Sequence, residues 1–251
     1  MRRRALFLLL FAFGAGAAAQ IPLAQRRSGY DEMGGATRAM QDDDATNPGM
    51  LWVLDGEALW ARKAGAADKA CADCHGAGMK GVAARYPKVS DGKLVDLEQR
   101  INLCRVDQQK APALAYESRE LLALTAYIGL QSRGLPIEVD EAGTAKPFLE
   151  AGRAAYHRRQ GQLNLACAQC HDQRHGGKLA GNPIPQGQAT GYPIYRLEWQ
   201  GMGSLQRRLR NCMIGVRAEP YAYGSPELVE LEYYLMWRAR GMKLETPAVR
   251  P

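Results

Sequence analysis

Two pentapeptides carry most of the chemistry open to this chain. Cys71-Ala-Asp-Cys74-His75 and Cys167-Ala-Gln-Cys170-His171 lie 96 residues apart, and each is followed by one further cysteine, Cys104 or Cys212. Two thiols three residues apart, with a histidine directly after the second, is the spacing that attaches haem covalently. The cysteines form thioethers to the two vinyl groups and the histidine ligates the iron. The repetition of the whole arrangement predicts two covalently bound haem c groups, on Cys71, Cys74, Cys167 and Cys170. The unpaired cysteines matter most. A thiolate on a haem iron is strongly electron-donating and brings sulfur chemistry next to an electron acceptor.

The rest of the sequence must place a second ligand across from each histidine, and its periodicity shows how. At an offset of 96, Gly56-x-x-x-Trp60 lies over Gly152-x-x-x-Tyr156; at 108, Leu97-Glu-Gln-Arg100-Ile-Asn-Leu-Cys104 lies over Leu205-Gln-Arg-Arg208-Leu-Arg-Asn-Cys212. At 107, Ala126 to Gly134 lies over Tyr233 to Gly241. Glu57 to Ala64 and Arg153 to Arg159 read as amphipathic helices leading into the haem motifs. Each half therefore runs helix, haem motif, loop, short helix ending at a cysteine, and a closing helix stopped by glycine. The predicted fold is all-α: two tandem cytochrome c-like domains, 56–146 and 147–251, behind an N-terminal arm at 20–55. The second half has twelve more residues between motif and cysteine, and its Gly-, Pro- and Tyr-rich stretch from Gly176 to Gly203 reads as a loop over one haem face.

Residues 1–19 read as a secretory signal, with Arg2 to Arg4, an apolar run from Ala5 to Phe13, and Ala17-Ala18-Ala19 before Gln20. The run is shorter than the ~20 residues that span a bilayer. Export to the bacterial periplasm, where c-type haem is attached, is the expectation. Of the formal charge of +7, three units sit in this leader. The remainder is only mildly basic and without a Lys/Arg run, which excludes nucleic acid as a partner. With 46% apolar and 8% aromatic residues, the chain suits two small domains wrapped around porphyrin better than one large core.

For the first haem, no methionine or histidine occurs between Met79 and His157. Met79, four residues after His75, is too close to reach the opposite face, which leaves Cys104, a lysine or an open site. For the second, Met202, Met213, His175 and Cys212 compete, and the repeat register selects Cys212. A Cys104–Cys212 disulfide is the alternative in an oxidising compartment. Equivalent repeat positions normally lie farther apart than the ~7 Å Cα limit for a bridge, which favours axial pairs His75/Cys104 and His171/Cys212.

Several motifs together resemble the SoxA family, the A subunits of the SoxAX cytochromes, in their dihaem form. They are Thr37-Arg-Ala-Met-Gln-Asp-Asp-Asp44, Asn47-Pro-Gly-Met-Leu-Trp52, both haem motifs, and Cys212-x-x-x-x-Arg217-Ala-Glu-Pro220-Tyr221 with Gly224-Ser-Pro226-Glu227. The resemblance implies an L-cysteine S-thiosulfotransferase that joins thiosulfate oxidatively to a cysteine of the carrier SoxY of SoxYZ and passes two electrons to a soluble cytochrome c. It also implies a heterodimer with the monohaem cytochrome SoxX. Carried onto this chain, Cys212 is the active cysteine, a persulfide intermediate, and Arg208, one helical turn before it, binds the substrate. An arginine fork suits a sulfonate. Arg207, Arg210 and Arg217 are rivals for that role, and Arg100 occupies the matching place beside Cys104 with no catalysis implied. A dihaem electron carrier without a catalytic site is the alternative reading; a dihaem peroxidase would need an open iron site, against which two available thiolates argue.

Overall fold

A computed structural model describes residues 21–179 and 181–251; the leader expected at 1–19 lies outside them. In chain order the helices are α1 (Gly35–Asp42), α2 (Met50–Ala61), α3 (Ala72–His75), α4 (Leu97–Cys104), α5 (Arg119–Leu130), α6 (Lys146–His157), α7 (Cys167–His171), α8 (Leu205–Gly215) and α9 (Pro226–Arg238). The strands are β1 (Lys88–Ser90), β2 (Lys93–Val95), β3 (Lys178–Leu179), β4 (Asn182–Pro183), β5 (Ile194–Arg196), β6 (Gly201–Gly203) and β7 (Ala248–Arg250).

The sequence repeat becomes two crossed helix pairs, α2 on α5 and α6 on α9. Each crossing is made at a glycine because the backbones nearly touch. A Cβ on Gly56 would lie 2.1 Å from the Ala123 carbonyl oxygen, and one on Gly152 2.0 Å from that of Glu230. An aromatic pair closes each crossing: Trp60 with Tyr127 at 5.7 Å, and Tyr156 with Tyr234 at 5.2 Å. Helix α2 starts at Met50, within the stretch read as an arm. The Asn47 side chain accepts the Gly49 N–H (2.9 Å) and its carbonyl accepts that of Met50 (3.0 Å), so the turn launches the helix directly.

The all-α expectation needs correction. The helix pairs form the body, but β1–β2 and β3–β4 are small hairpins, and β6-β5-β7 is a three-stranded mixed sheet in which β5 and β7 run parallel. The stretch from Gly176 to Gly203 is therefore loop interrupted by four short strands. Buried backbone polar groups need partners, and here the chain end supplies them, with Ala248 and Val249 fully buried. The Gln41 side chain of α1 accepts the Val249 N–H at 3.0 Å, which packs the N-terminal segment on the same sheet. Among the described residues, no helix is long and apolar enough to cross a membrane.

The two halves meet at the N-termini of the cysteine-bearing helices. Asp96 caps α4, accepting the Gln99 N–H at 2.6 Å, and its other oxygen accepts from Gln206 of α8 and from the Tyr116 hydroxyl, both at 2.7 Å. Gln206 accepts the Gly224 N–H (2.8 Å), while Gln99 donates to the Gly224 carbonyl (3.0 Å). Tyr116 stacks on Tyr223, its repeat equivalent, at 5.9 Å and 13°. The next positions, Glu117 and Gly224, share the left-handed conformation (φ +62° and +70°). The duplicated unit thus packs against itself about a pseudo-dyad.

Beside this junction lies a cavity of about 40 Å³ lined in part by Glu98 and Glu232. Glu98 is 7% exposed. Burial and then the Asp96 charge push its carboxyl up to about 8. Glu232 is raised by burial, by Glu98 and by Asp96; Asp96 is raised by burial against the bonds it accepts. Glu98 therefore keeps in the fold a proton that the unfolded chain releases near pH 4.5, so its contribution is complete below that pH and is lost as pH rises towards 8. Glu98→Gln should gain stability relative to the parent across this window, by at most about 1.4 kcal/mol per pH unit. Denaturant melts of the two proteins at pH 5 and pH 8.5 check this; an equal gap at both pH values would contradict it.

Candidate active site

Each haem motif forms a single helical turn, α3 or α7, directly after the crossing helix of its half. In the first, Trp60 of α2 donates to the Gly76 carbonyl at 2.7 Å and lies 5.7 Å from the His75 ring. Cys104 ends α4. Burial raises the Cys71 thiol, Arg105 opposes that rise, and Cys104 adds to it, so the unpaired sulfur sits within electrostatic reach of its own motif.

The second site is tighter. His171 shares a hydrogen bond with the Pro185 carbonyl through Nδ1 (2.8 Å), which leaves Nε2 for iron. Cys212, at the last turn of α8, lies within hydrogen-bonding reach of His171. Burial pushes its thiol up, but a side-chain hydrogen bond with His171 and the charges of Arg208, His171 and Arg196 outweigh this, and its pKa falls below the usual thiol value. Cys167 moves the opposite way, up to about 11, through burial and then the Cys212 charge. All six cysteines are free, and Cys104 and Cys212 lie beside their own motifs rather than bridged to each other. Paired thiols on one turn, a histidine with one nitrogen engaged, and a sulfur facing its ring form a donor set that fits a covalent haem. Met213 and Met202 are buried in apolar clusters, while His175 and His157 are exposed.

The arginines around Cys212 differ in what they hold. Arg207 lies over the Trp199 ring at 4.3 Å and reaches Glu117 at 3.9 Å. Arg210 lies over Tyr223 at 4.5 Å. Arg217 is exposed, on a left-handed residue past the end of α8. Arg208 has no hydrogen bond, ion pair or ring contact for its guanidinium among the described residues, yet its charge is felt at Cys212, one helical turn away.

With this geometry in view, the relatives fall into place. The SoxA/TsdA cytochrome c domain matches the chain twice, over residues 55–137 and 151–244. The chain belongs to the SoxA family. It is 42% identical over 229 residues to the L-cysteine S-thiosulfotransferase subunit SoxA of Rhodovulum sulfidophilum, covering 89% of this chain and 80% of that protein. It is 40% identical to the subunit of the same name from Pseudaminobacter salicylatoxidans, covering 91% and 82%. The crystal structure of SoxXA from P. pantotrophus superposes with a TM-score of 0.88 at 33% identity, covering 90% of this chain and 87% of that one. A SoxA-family cytochrome c domain carries covalently bound haem c, in keeping with the donor sets above.

Within the SoxA-family frame, the structure adds residues that spacing does not reveal. Pro185 orients His171 from the inserted stretch, and Arg196 enters from β5, whose hairpin with β6 precedes α8 as β1–β2 precedes α4, with Ser90 in the place of Arg196. Glu117 reaches across the junction to accept the Ser204 N–H at the start of α8 (3.3 Å). Its signal was available in the repeat, where it stands in the place of a glycine. Gly203 allows another close approach, since a Cβ there would lie 2.5 Å from the Trp199 ring and 2.8 Å from Arg207 Cδ. Gly203→Ala should dislodge Trp199, cost about 1–3 kcal/mol, and lower turnover while both haem motifs still load. Thermal melts followed in the Soret band, with haem quantitation, check this.

Proposed function

We propose that this chain is the dihaem catalytic subunit of an L-cysteine S-thiosulfotransferase, with the reaction centred on Cys212 at the second haem. The carrying observation is the unpaired guanidinium of Arg208 one turn from a thiol whose pKa is lowered and which faces His171. A plain electron carrier has no use for an uncommitted cation beside a thiolate. Cys71 and Cys74 with His75 and Cys104, and Cys167 and Cys170 with His171 and Cys212, would hold the two haems and supply their iron ligands.

Arg208 holds the sulfonate end of thiosulfate by charge-assisted hydrogen bonds, so the terminal sulfur meets Cys212. The Cys212 thiolate, favoured by the nearby arginine charges, forms a sulfur–sulfur bond to that atom, and two electrons leave. A haem held by Cys167, Cys170 and His171 would supply the electron acceptor beside that bond, from which the two electrons would pass one at a time to a soluble cytochrome c. A cysteine thiolate of the SoxY carrier then attacks the sulfane sulfur bonded to Cys212 Sγ. The S–SO₃⁻ group passes to the carrier, the Sγ–S bond breaks, and Cys212 returns as thiolate. His171 stays fixed by Pro185 throughout.

A periplasmic location, with residues 1–19 as the export signal, fits both the carrier and c-type haem. The partner is a SoxX-type monohaem cytochrome, in line with the SoxXA crystal structure that superposes on this chain. Leu163, Leu179 and Ile214 are exposed apolar side chains on the second half and suit that interface. Helix α9, buried along most of its length, has little surface to offer it.

Cys212→Ser should abolish thiosulfate-dependent reduction of the acceptor cytochrome, whereas Cys104→Ser should mainly alter the spectrum and potential of the first haem. Arg208→Ala should cost roughly 10- to 150-fold, the worth of about 1.5–3 kcal/mol, with both haem spectra near normal. The reverse pattern between the two serine variants would move the chemistry to the first haem. Co-expression with the monohaem subunit should yield a heterodimer burying more than about 1,000 Å²; a monodisperse monomer by light scattering would contradict the interface.

A further inference from the structure

A short strap of the inserted stretch, Pro185 to Gly187, lies against His171. The Pro185 carbonyl shares a hydrogen bond with Nδ1 of the ring at 2.8 Å. Gly187 has a left-handed φ of +70°, and a Cβ there would lie 3.2 Å from the imidazole Cγ. Between these two contacts, Gln186 is buried and held at both its ends. Its side chain accepts the Arg27 N–H at 2.8 Å and donates to the Gln25 carbonyl at 3.1 Å. Its own carbonyl accepts from Arg238, the last residue of α9, at 3.2 Å.

Arg238 closes a path back to the histidine. The nitrogen that serves Gln186, Nη2, also donates to Asp172 Oδ1 at 2.7 Å, and Asp172 follows His171 directly in the chain. The Tyr156 hydroxyl donates to the same oxygen at 2.9 Å, and the guanidinium lies 4.6 Å from the centre of the Tyr156 ring. One cation therefore ties the backbone beside His171 to the strap bonded to its ring. The Arg238 side chain is 9% exposed and that of Asp172 24%. A pair so placed resists being parted, because either charge left alone would be poorly solvated.

The repeat shows that the shared frame does not require this pair. At the offset of 107 Arg238 answers Gln131, and at 96 Asp172 answers Gly76. There Gln131 accepts the Met79 N–H at 2.7 Å, and Trp60 donates to the Gly76 carbonyl, also at 2.7 Å. Neutral bonds to backbone in the first half are replaced in the second by an ion pair that reaches the strap. The second half is also the one whose cysteine reacts. As the Cys212 sulfur takes a bond to another sulfur it becomes a poorer donor, and the His171 imidazole is then the ligand that has to stay in place. The bond on its far nitrogen sets the orientation and basicity of the ring.

We propose that Arg238 is a positioning residue of the second haem site: through Asp172 and the Pro185–Gly187 strap it latches the His171 ring in one orientation while Cys212 reacts. The latch is read from the hydrogen bonds alone, and its part in turnover rests on the reading of Cys212 as the reacting thiol.

The test uses the haem-loaded heterodimer, read by EPR of the resting protein and by cytochrome reduction with thiosulfate and carrier. Arg238→Met keeps an apolar stem of similar length and removes the donors. It should split the low-spin signal of the second haem into more than one species and leave that of the first haem unaltered. It should also lower kcat on the order of tenfold with the KM for thiosulfate within about twofold. Arg238→Lys, whose ammonium can serve both acceptors, should restore a single species and most of the kcat. Asp172→Ala, which removes the anchor at the other end of the latch, should split the same signal, and it carries the test if Arg238→Met does not load haem. A single, unaltered second-haem signal in the loaded variants would overturn the latch. So would a change that Lys does not rescue, shared by both haem signals and accompanied by a lowered melting temperature, since Arg238 would then support the fold alone. If the second-haem signal splits and Lys rescues it, while turnover is unchanged both here and in Cys212→Ser, the latch stands and the reading of Cys212 fails.

Discussion

The placement of α8 is the constraint on which the rest of this structure depends. Its last turn must hold Cys212 opposite the His171 ring, and a helix of eleven residues transmits any error at its start directly to its end. The start is accordingly over-determined. Ser204 caps it, Glu117 accepts the Ser204 N–H from the other half, and Gln206 is bonded to Asp96 and Gly224. None of these groups bonds to the Cys212 sulfur. They act through geometry, because side chains on a helix keep their direction as long as its axis is held.

The site shows burial and charge working against each other on neighbouring thiols. Burial raises both the Cys167 and the Cys212 thiol, although Cys212 keeps an accessible side, and only Cys212 has a histidine and arginines that outweigh it. The surrounding cations fall into two sets. Arg207 and Arg210 lie on aromatic rings and serve the packing, while Arg208 is kept free of acids and rings. An arginine already engaged has fewer donors left for an anion. The functional distinction between adjacent positions on one helix therefore comes from their neighbours, and residue type alone does not make it.

The duplicated frame explains why the two sites are not equivalent. Register places Gln99 where α8 has Arg207, and Asn102 where it has Arg210. Gln99 serves the capping box of α4 and reaches Gly224; Asn102 makes a two-way bond to the backbone of Leu114, at 2.9 and 2.8 Å. In the first half these positions have become structural amides. The hairpin before α4, β1–β2, matches β5–β6 before α8, but β1 ends in Ser90 where β5 ends in Arg196. The same scaffold carries an equipped site and a plainer one.

Much of this was open to a reader of the sequence. The haem motifs and their unpaired cysteines stand in the spacing, and the helix order stands in the self-overlap at 96, 107 and 108, because covalent attachment and helix crossing both demand particular residue types at fixed intervals. Gly56 and Gly152 are legible for that reason. The inserted segment was not. Its strands owe their form to a chain end some fifty residues away, and parallel pairing of β5 with β7 leaves no local period to read. The proton held by Glu98, the freedom of Arg208 and the bond from Arg238 to Gln186 were equally out of reach. Each depends on which groups the tertiary fold brings near and which it keeps away, and burial and charge separation are properties of the folded arrangement, not of the residues in line.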